Sequence, residues 1–137
     1  MAAQDDIDLV RKGFEAFIAG DMVWMNEHLH ENIVWHVPGH NVLSGDHKGR
    51  ENVLAFFAKS VQIALPEIDI HDVVGSEDHV VAIQTVRWRR NDNAETFEDH
   101  AVMVFHVAEE EAIEVWTLME HQREFDKFLE GTPPGQA

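Results

Sequence analysis

Apolar residues recur at three- and four-residue steps through the first twenty positions: Ile7, Val10, Phe14, Phe17 and Ile18. That spacing places one hydrophobic stripe along an amphipathic helix. Asp5 or Asp6 can cap its start, and Gly20 ends it. Asp21 then caps a second, shorter helix that turns Met22, Met25 and Leu29 inward. Residues 32–37 read as a strand, and residues 38–49 as loop, with three glycines and a proline in twelve positions. Residues 50–61 return to helical spacing, with Val53, Leu54, Phe57 and Val61 on one face.

After Pro66 the period changes from helical to alternating. Segments 67–75, 78–90, 95–107 and 112–121 are rich in Val, Ile, Thr and aromatics, with short turns at 75–77, 91–93 and 109–111. The pattern predicts a four-strand meander whose long members suit a curved, twisted antiparallel sheet. A last short helix carries Phe125, Phe128 and Leu129 back onto the body. Helices at the front and hairpins at the back predict an α+β fold, with helices packed on one face of the sheet. No β-α-β alternation is present, and neither GxGxxG nor GxxxxGK[ST] occurs, which sets nucleotide-binding α/β folds aside. The pattern predicts a single domain over residues 1–130 and a disordered tail over 131–137, where the chain reads GTPPGQA.

Composition narrows the function classes. Ten basic side chains face 26 acidic ones, a formal net charge of −16, which argues against nucleic-acid and anionic-membrane partners. The basic cluster Arg87, Arg89 and Arg90 sits at a strand end and reads as a solvated face. The chain contains no cysteine, so disulfides and thiolate metal sites are excluded. No signal-peptide pattern or membrane-span-length apolar run is visible, and the expectation is a soluble, cytoplasmic protein.

Several stretches in order then resemble a known family. The amphipathic first helix and AGD (19–21) lead to a strand ending VWHVPG (34–39). SGDHKGRENVLAFF (44–57) follows, and AIEVWTLME (112–120) runs into HQREFDKF (121–128). Over residues 5–129 the chain resembles the nuclear transport factor 2-like superfamily. It is most similar there to the SnoaL-like group, with ketosteroid isomerases, polyketide cyclases and limonene epoxide hydrolase as relatives. The resemblance implies an α+β cone, a curved sheet closed by helices around an apolar pocket, usually in a homodimer. Such pockets hold steroids, polyketides, terpenes and similar ligands, and some members of the superfamily catalyse nothing.

The resemblance also implies where chemistry would sit. The ketosteroid isomerase base falls at Val37, their protonated Asp at Met103, and their phenol donor has no counterpart in a chain without tyrosine. The epoxide hydrolase carboxylate falls at Leu118. None of these mechanisms carries over as it stands. The resemblance further implies the pocket-facing positions: Trp35 and Val37; Gln84, Val86 and Trp88; Asp99, Ala101, Met103 and Phe105; Trp116, Leu118 and Glu120. Along 32–37, 78–90 and 95–107 this is also the more apolar face by alternation. On the last strand apolarity favours the other face, with Ile113, Val115 and Met119, and both readings stand.

Asp99 is the candidate acid or base, since a carboxylate on an apolar-facing strand is desolvated; the alternative is a solvated or Arg-paired strand-start residue. His40, in the loop at the pocket mouth, is the second catalytic candidate. His36 alternates outward, and Pro38-Gly39 forbids the helix that would turn His36 and His40 into a metal pair, so no metal is expected. His28 and His30 point in different directions. Ser44 and Ser60 lack a nucleophile-elbow setting. Trp35, Trp88 and Trp116 suit core packing or the walls of a flat-ligand site, with Gln84 and Glu120 as polar groups. Three functions follow: a cofactor-independent isomerase, cyclase or hydratase; a non-catalytic small-molecule binder; or an interaction domain. A small apolar ligand and a second copy of the chain are the expected partners.

Overall fold

A computed structural model describes residues 2–131; the tail from Thr132 onward lies outside the described residues. The chain runs α1 (Ala2–Ala19), α2 (Met22–His28), β1 (Leu29–Val37), β2 (Gly45–Lys48) and α3 (Arg50–Ile63). It continues through β3 (Ala64–Gly75), β4 (His79–Arg90), β5 (Thr96–Ala108) and β6 (Glu111–Met119) to α4 (Gln122–Phe128). The six strands form one curved, unclosed sheet in the order β2-β1-β6-β5-β4-β3.

The expected elements are present, with three differences. Part of the stretch read as loop forms β2, which pairs antiparallel with β1 from Val34↔Lys48 to Val37↔Gly45. Turn residues dominated that reading, but Asp46 to Lys48 still find an exposed edge to pair with. Leu29 belongs to β1 rather than to the second helix. The sheet is also mixed: β6 runs parallel to β1, because the helical excursion α3 and the meander return the chain in the same direction.

Local chemistry explains the helix ends. The Asp21 carboxylate accepts the Trp24 N–H at 3.0 Å and starts α2, while Gly20, at φ 70°, makes the left-handed turn that stops α1. Ridges of α1 and α3 pack on the inner sheet face around Ile33, Val53, Val80 and Val115, all fully buried. A second apolar cluster, with Leu43, Ile63, Phe125 and Phe128, holds α4 across the other end. Arg90 is not solvated there. Its guanidinium is buried, grips Asp92 bidentately (2.9 and 2.8 Å) and donates to the Phe128 carbonyl at 2.7 Å, closing the C-terminal end of α4.

The loop after β1 is tied to α4 as well. Asp126 accepts the His40 N–H at 3.0 Å, the Asn41 amide at 2.7 Å and the Gln122 amide at 2.9 Å. Burial works to raise the Asp126 carboxyl, but these three donors outweigh it and hold it below its ordinary value. Gly39, at φ 87°, passes so close that any side chain there would overlap Gln122 and Asp126. Among the described residues, no helix is long and apolar enough to cross a membrane.

Candidate functional site

Between the helices and the inner face of the sheet lies a cavity of about 180 Å³. Alternation along the strands selects its walls: Trp35 and Val37 from β1; Gln84, Val86 and Trp88 from β4; Ala101, Met103 and Phe105 from β5. Phe14 and Phe17 of α1, Trp24 of α2 and Phe56 and Phe57 of α3 close it from the helical side. Trp35 is the hub of this aromatic shell. Its indole meets Phe57 edge-on at 5.0 Å, and its N–H donates to Thr117 Oγ1 at 3.3 Å.

The last strand enters with its other face. β6 pairs with β5 in the register Val115↔Phe105, Thr117↔Met103 and Met119↔Ala101, so these residues share the inward face. A bulge then inserts Ile113 opposite the step from His106 to Val107, which lets Ala112 also face the cavity. Trp116, Leu118 and Glu120, expected in the lumen, are therefore on the outer face. Leu118 is 54% exposed, and Trp116 stacks on His36 at 5.6 Å. One residue of register reverses every side chain on a strand, and here apolarity was the better guide.

Neither catalytic candidate lines the cavity. Asp99 is 4% exposed, but it sits between β5 and the start of α4. Its carboxylate accepts the His121 main-chain N–H and the His121 Nδ1–H, both at 2.8 Å, and the His100 N–H at 2.9 Å. It is an anchor for the entry into α4, neither solvated nor Arg-paired. His40 contributes its main-chain N–H to Asp126, and its side chain is exposed. Ser44 and Ser60 spend their hydroxyls on the Pro38 and Phe57 carbonyls, at 2.9 and 2.8 Å.

Among the described residues, three buried polar atoms of cavity-lining side chains find no hydrogen-bond partner: Gln84 Oε1, Trp88 Nε1 and Gln122 Oε1. Gln84 is only 2% exposed, and burying an unpaired amide costs about 1–3 kcal/mol. The orientation of Gln122 is fixed, because its Nε2 must donate to the Asp126 carboxylate. Its oxygen is thus left as a free acceptor, while Trp88 presents a free donor. Gln122 was missed in the sequence although it stands three residues before the inward Phe125. His28 was missed for a similar reason: it stands three residues after the inward Met25, on the same helix face. It lines the cavity, and it is the one titratable residue among the described residues that does so.

At the entry to α4, buried Asp99 and exposed Glu120 and His121 bring their ligand atoms within 4.8 Å of one another. Hydrogen bonds account for this grouping without an ion. The Asp99 hydrogen bond raises the His121 pKa above its ordinary value, Glu120 does the same for His100, and Glu114 and then Asp46 do so for His36.

A family model described as the SnoaL-like domain matches residues 10–116. The chain belongs to this family. Its fold is the nuclear transport factor 2-like cone. Among relatives, the uncharacterized protein Rv0034 of Mycobacterium tuberculosis is 30% identical over 93 residues, covering 66% of this chain and 71% of that one. Among solved structures, Bal32a from a soil-derived mobile gene cassette superposes with a TM-score of 0.85 at 27% identity, covering 94% of this chain and 99% of its own. TerC, crystallised with polyporic acid, superposes at 0.80 with 15% identity, covering 93% and 99%.

A histidine whose pKa is raised on folding stabilises the fold fully below its unfolded value, about 6.5, and loses that contribution as pH rises through the folded value. Thermal unfolding followed by circular dichroism at about pH 6 and about pH 9 is expected to show a smaller drop for His121→Gln than for the wild type. Parallel behaviour of the two proteins would contradict the Asp99–His121 anchor.

Proposed function

We propose that this SnoaL-like protein binds a small, largely apolar molecule inside the cone, oriented by oxygen-bearing groups at the α4 end. The observation that carries this reading is an aromatic cavity of about 180 Å³ whose lining residues include Gln84, Trp88 and Gln122, each with a buried polar atom unpaired among the described residues. Each buried polar group without a partner costs stability, and a bound molecule that reached these groups would offset that cost. Trp88 Nε1–H calls for a carbonyl or ether oxygen, and Gln122 Oε1 for a hydroxyl. Gln84, with both amide atoms available, accepts either. The aromatic walls favour a flat skeleton. No aspartate, glutamate, lysine or arginine lines the cavity among the described residues, which favours a neutral ligand. TerC, with its small organic ligand, offers an example on the same fold. Trp35, Val37, Gln84, Trp88 and Met103 remain the ligand-contacting residues in this reading, with Trp116, Leu118 and Glu120 outside it.

The outer sheet face supports pairing with a second copy of the chain, as the family resemblance implies. Leu118 and Ile83 are exposed there beside Val102, Val104 and Trp116, an apolar strip across three strands. A cytoplasmic location remains part of the proposal, consistent with a chain that uses no cysteine.

Replacing Gln84 by Leu separates a ligand-binding role from a structural one. The variant is expected to be as stable as the wild type or more so, because it removes a buried unpaired amide. It is also expected to bind alpha-tetralone and alpha-naphthol about tenfold more weakly by tryptophan fluorescence, the loss of roughly one hydrogen bond, with naphthalene unaffected. A destabilised variant that binds all three equally well would contradict the reading. For the pairing, sedimentation equilibrium at micromolar concentration is expected to give a dimer, and a monomer would contradict it.

A further inference from the structure

The cavity described above has a second polar end, built from α2. His28 closes that helix, and its ring is held in two ways. Nδ1 lies 2.8 Å from the Trp24 carbonyl oxygen, and the imidazole stacks on the Trp24 indole with centroids 4.0 Å apart and planes 15° from parallel. A carbonyl oxygen only accepts, so Nδ1 carries the hydrogen. In the neutral ring, Nε2 is therefore a lone pair. It makes no hydrogen bond to any described residue. The indole that supports the ring is itself seated, its far edge over Gly13 of α1. A fixed tautomer, a fixed plane and an unshared Nε2 on a residue that lines an apolar cavity suit a positioned base.

From this geometry we propose that His28 is a catalytic base in the cavity, moving a proton within a neutral, largely apolar carbonyl compound. Nε2 takes a proton from a carbon next to the carbonyl, and the C–H electron pair moves into the enolate. The imidazolium that forms keeps its Nδ1–H on the Trp24 carbonyl and its face on the indole. Nε2–H then returns the proton to another atom of the same molecule. In a carbonyl compound with a neighbouring carbon–carbon double bond the net change is a shift of that double bond, with one C–H bond broken and another formed, and no co-reactant is consumed. The inference rests on the ligand-binding reading above, since a base in this position acts only on a molecule held in the cone.

Nitrobenzisoxazole is a flat, neutral probe of any base in an apolar site. A base removes its C–H proton, the pair becomes part of a nitrile, the N–O bond breaks, and a coloured phenolate leaves. The wild-type protein is expected to accelerate this opening, with a rate that rises with pH as one imidazole loses its proton. His28→Gln is expected to lose at least tenfold of that rate together with the pH dependence, and His28→Asn, an independent replacement, to do the same. Binding of the neutral dye N-phenyl-naphthylamine, measured in parallel, tests the cavity itself. Dye binding in all three proteins with equal opening rates would overturn the base and leave the binding reading intact. Absence of dye binding in the wild type would overturn the binding reading and the base with it. A wild-type rate independent of pH through the imidazole range would overturn the base on its own.

Discussion

The antiparallel pairing of β4 with β5, held from His79↔His106 to Arg89↔Thr96 without a break, decides what this protein can hold. Each step of that ladder sends one pair of side chains into the cone and the next pair out. Ala82 and Met103, Gln84 and Ala101, Val86 and Asp99 therefore enter together, and the outer face receives Val81 with Val104 and Ile83 with Val102. The helices can only cover the apolar face so produced. With α1 and α3 spanning the middle and α4 tied down by Arg90, Asp99 and Asp126, the covering stops short of filling the space.

The same ladder shows why some of the site could be read in the sequence and some could not. Through 78–90 and 95–107 no bulge interrupts the pairing, and Gln84, Trp88 and Met103 line the cavity on the face that the resemblance implied and alternation also favoured. β6 carries a bulge at Ile113, and its face was inferred from a relative's active-site position, which put Trp116, Leu118 and Glu120 inside. Apolar weight on Val115 and Met119 held the better information. Asp99 shares the inward parity of β5, but the chain that crosses over it, His121 leading into α4, takes its carboxylate before any ligand could. That contact joins residues 22 apart in sequence, and no local pattern announces it. His28 shares the face of Met25 at three-residue spacing on α2, a relation that its two-residue offset from His30 does not show.

What the cone gives up in stability and what it gains in chemistry meet at a few atoms. Filling the space around Gln84, Trp88 and Gln122 with leucine-like side chains would remove three unpaired polar groups and strengthen the core by ordinary rules. The chain instead keeps a donor and two acceptors at the α4 end and a tautomerically fixed histidine at the α2 end, with apolar walls between them. Where the resemblance puts the acidic groups of ketosteroid isomerases and epoxide hydrolases, this chain has Val37, Met103 and Leu118. The polar groups that remain are of a different kind, neutral amides, an indole and an imidazole, which suits recognition of an uncharged molecule.

Whether a ligand in the cone engages the unpaired polar groups is reported most directly by the Trp88 indole N–H. Its resonance can be assigned in a proton–nitrogen correlation spectrum by its loss in Trp88→Phe. Titration with alpha-tetralone is expected to move that resonance downfield as the ligand carbonyl accepts its hydrogen bond, while naphthalene moves it little. A Trp88 resonance that stays in place while the ligand saturates the protein would contradict the account.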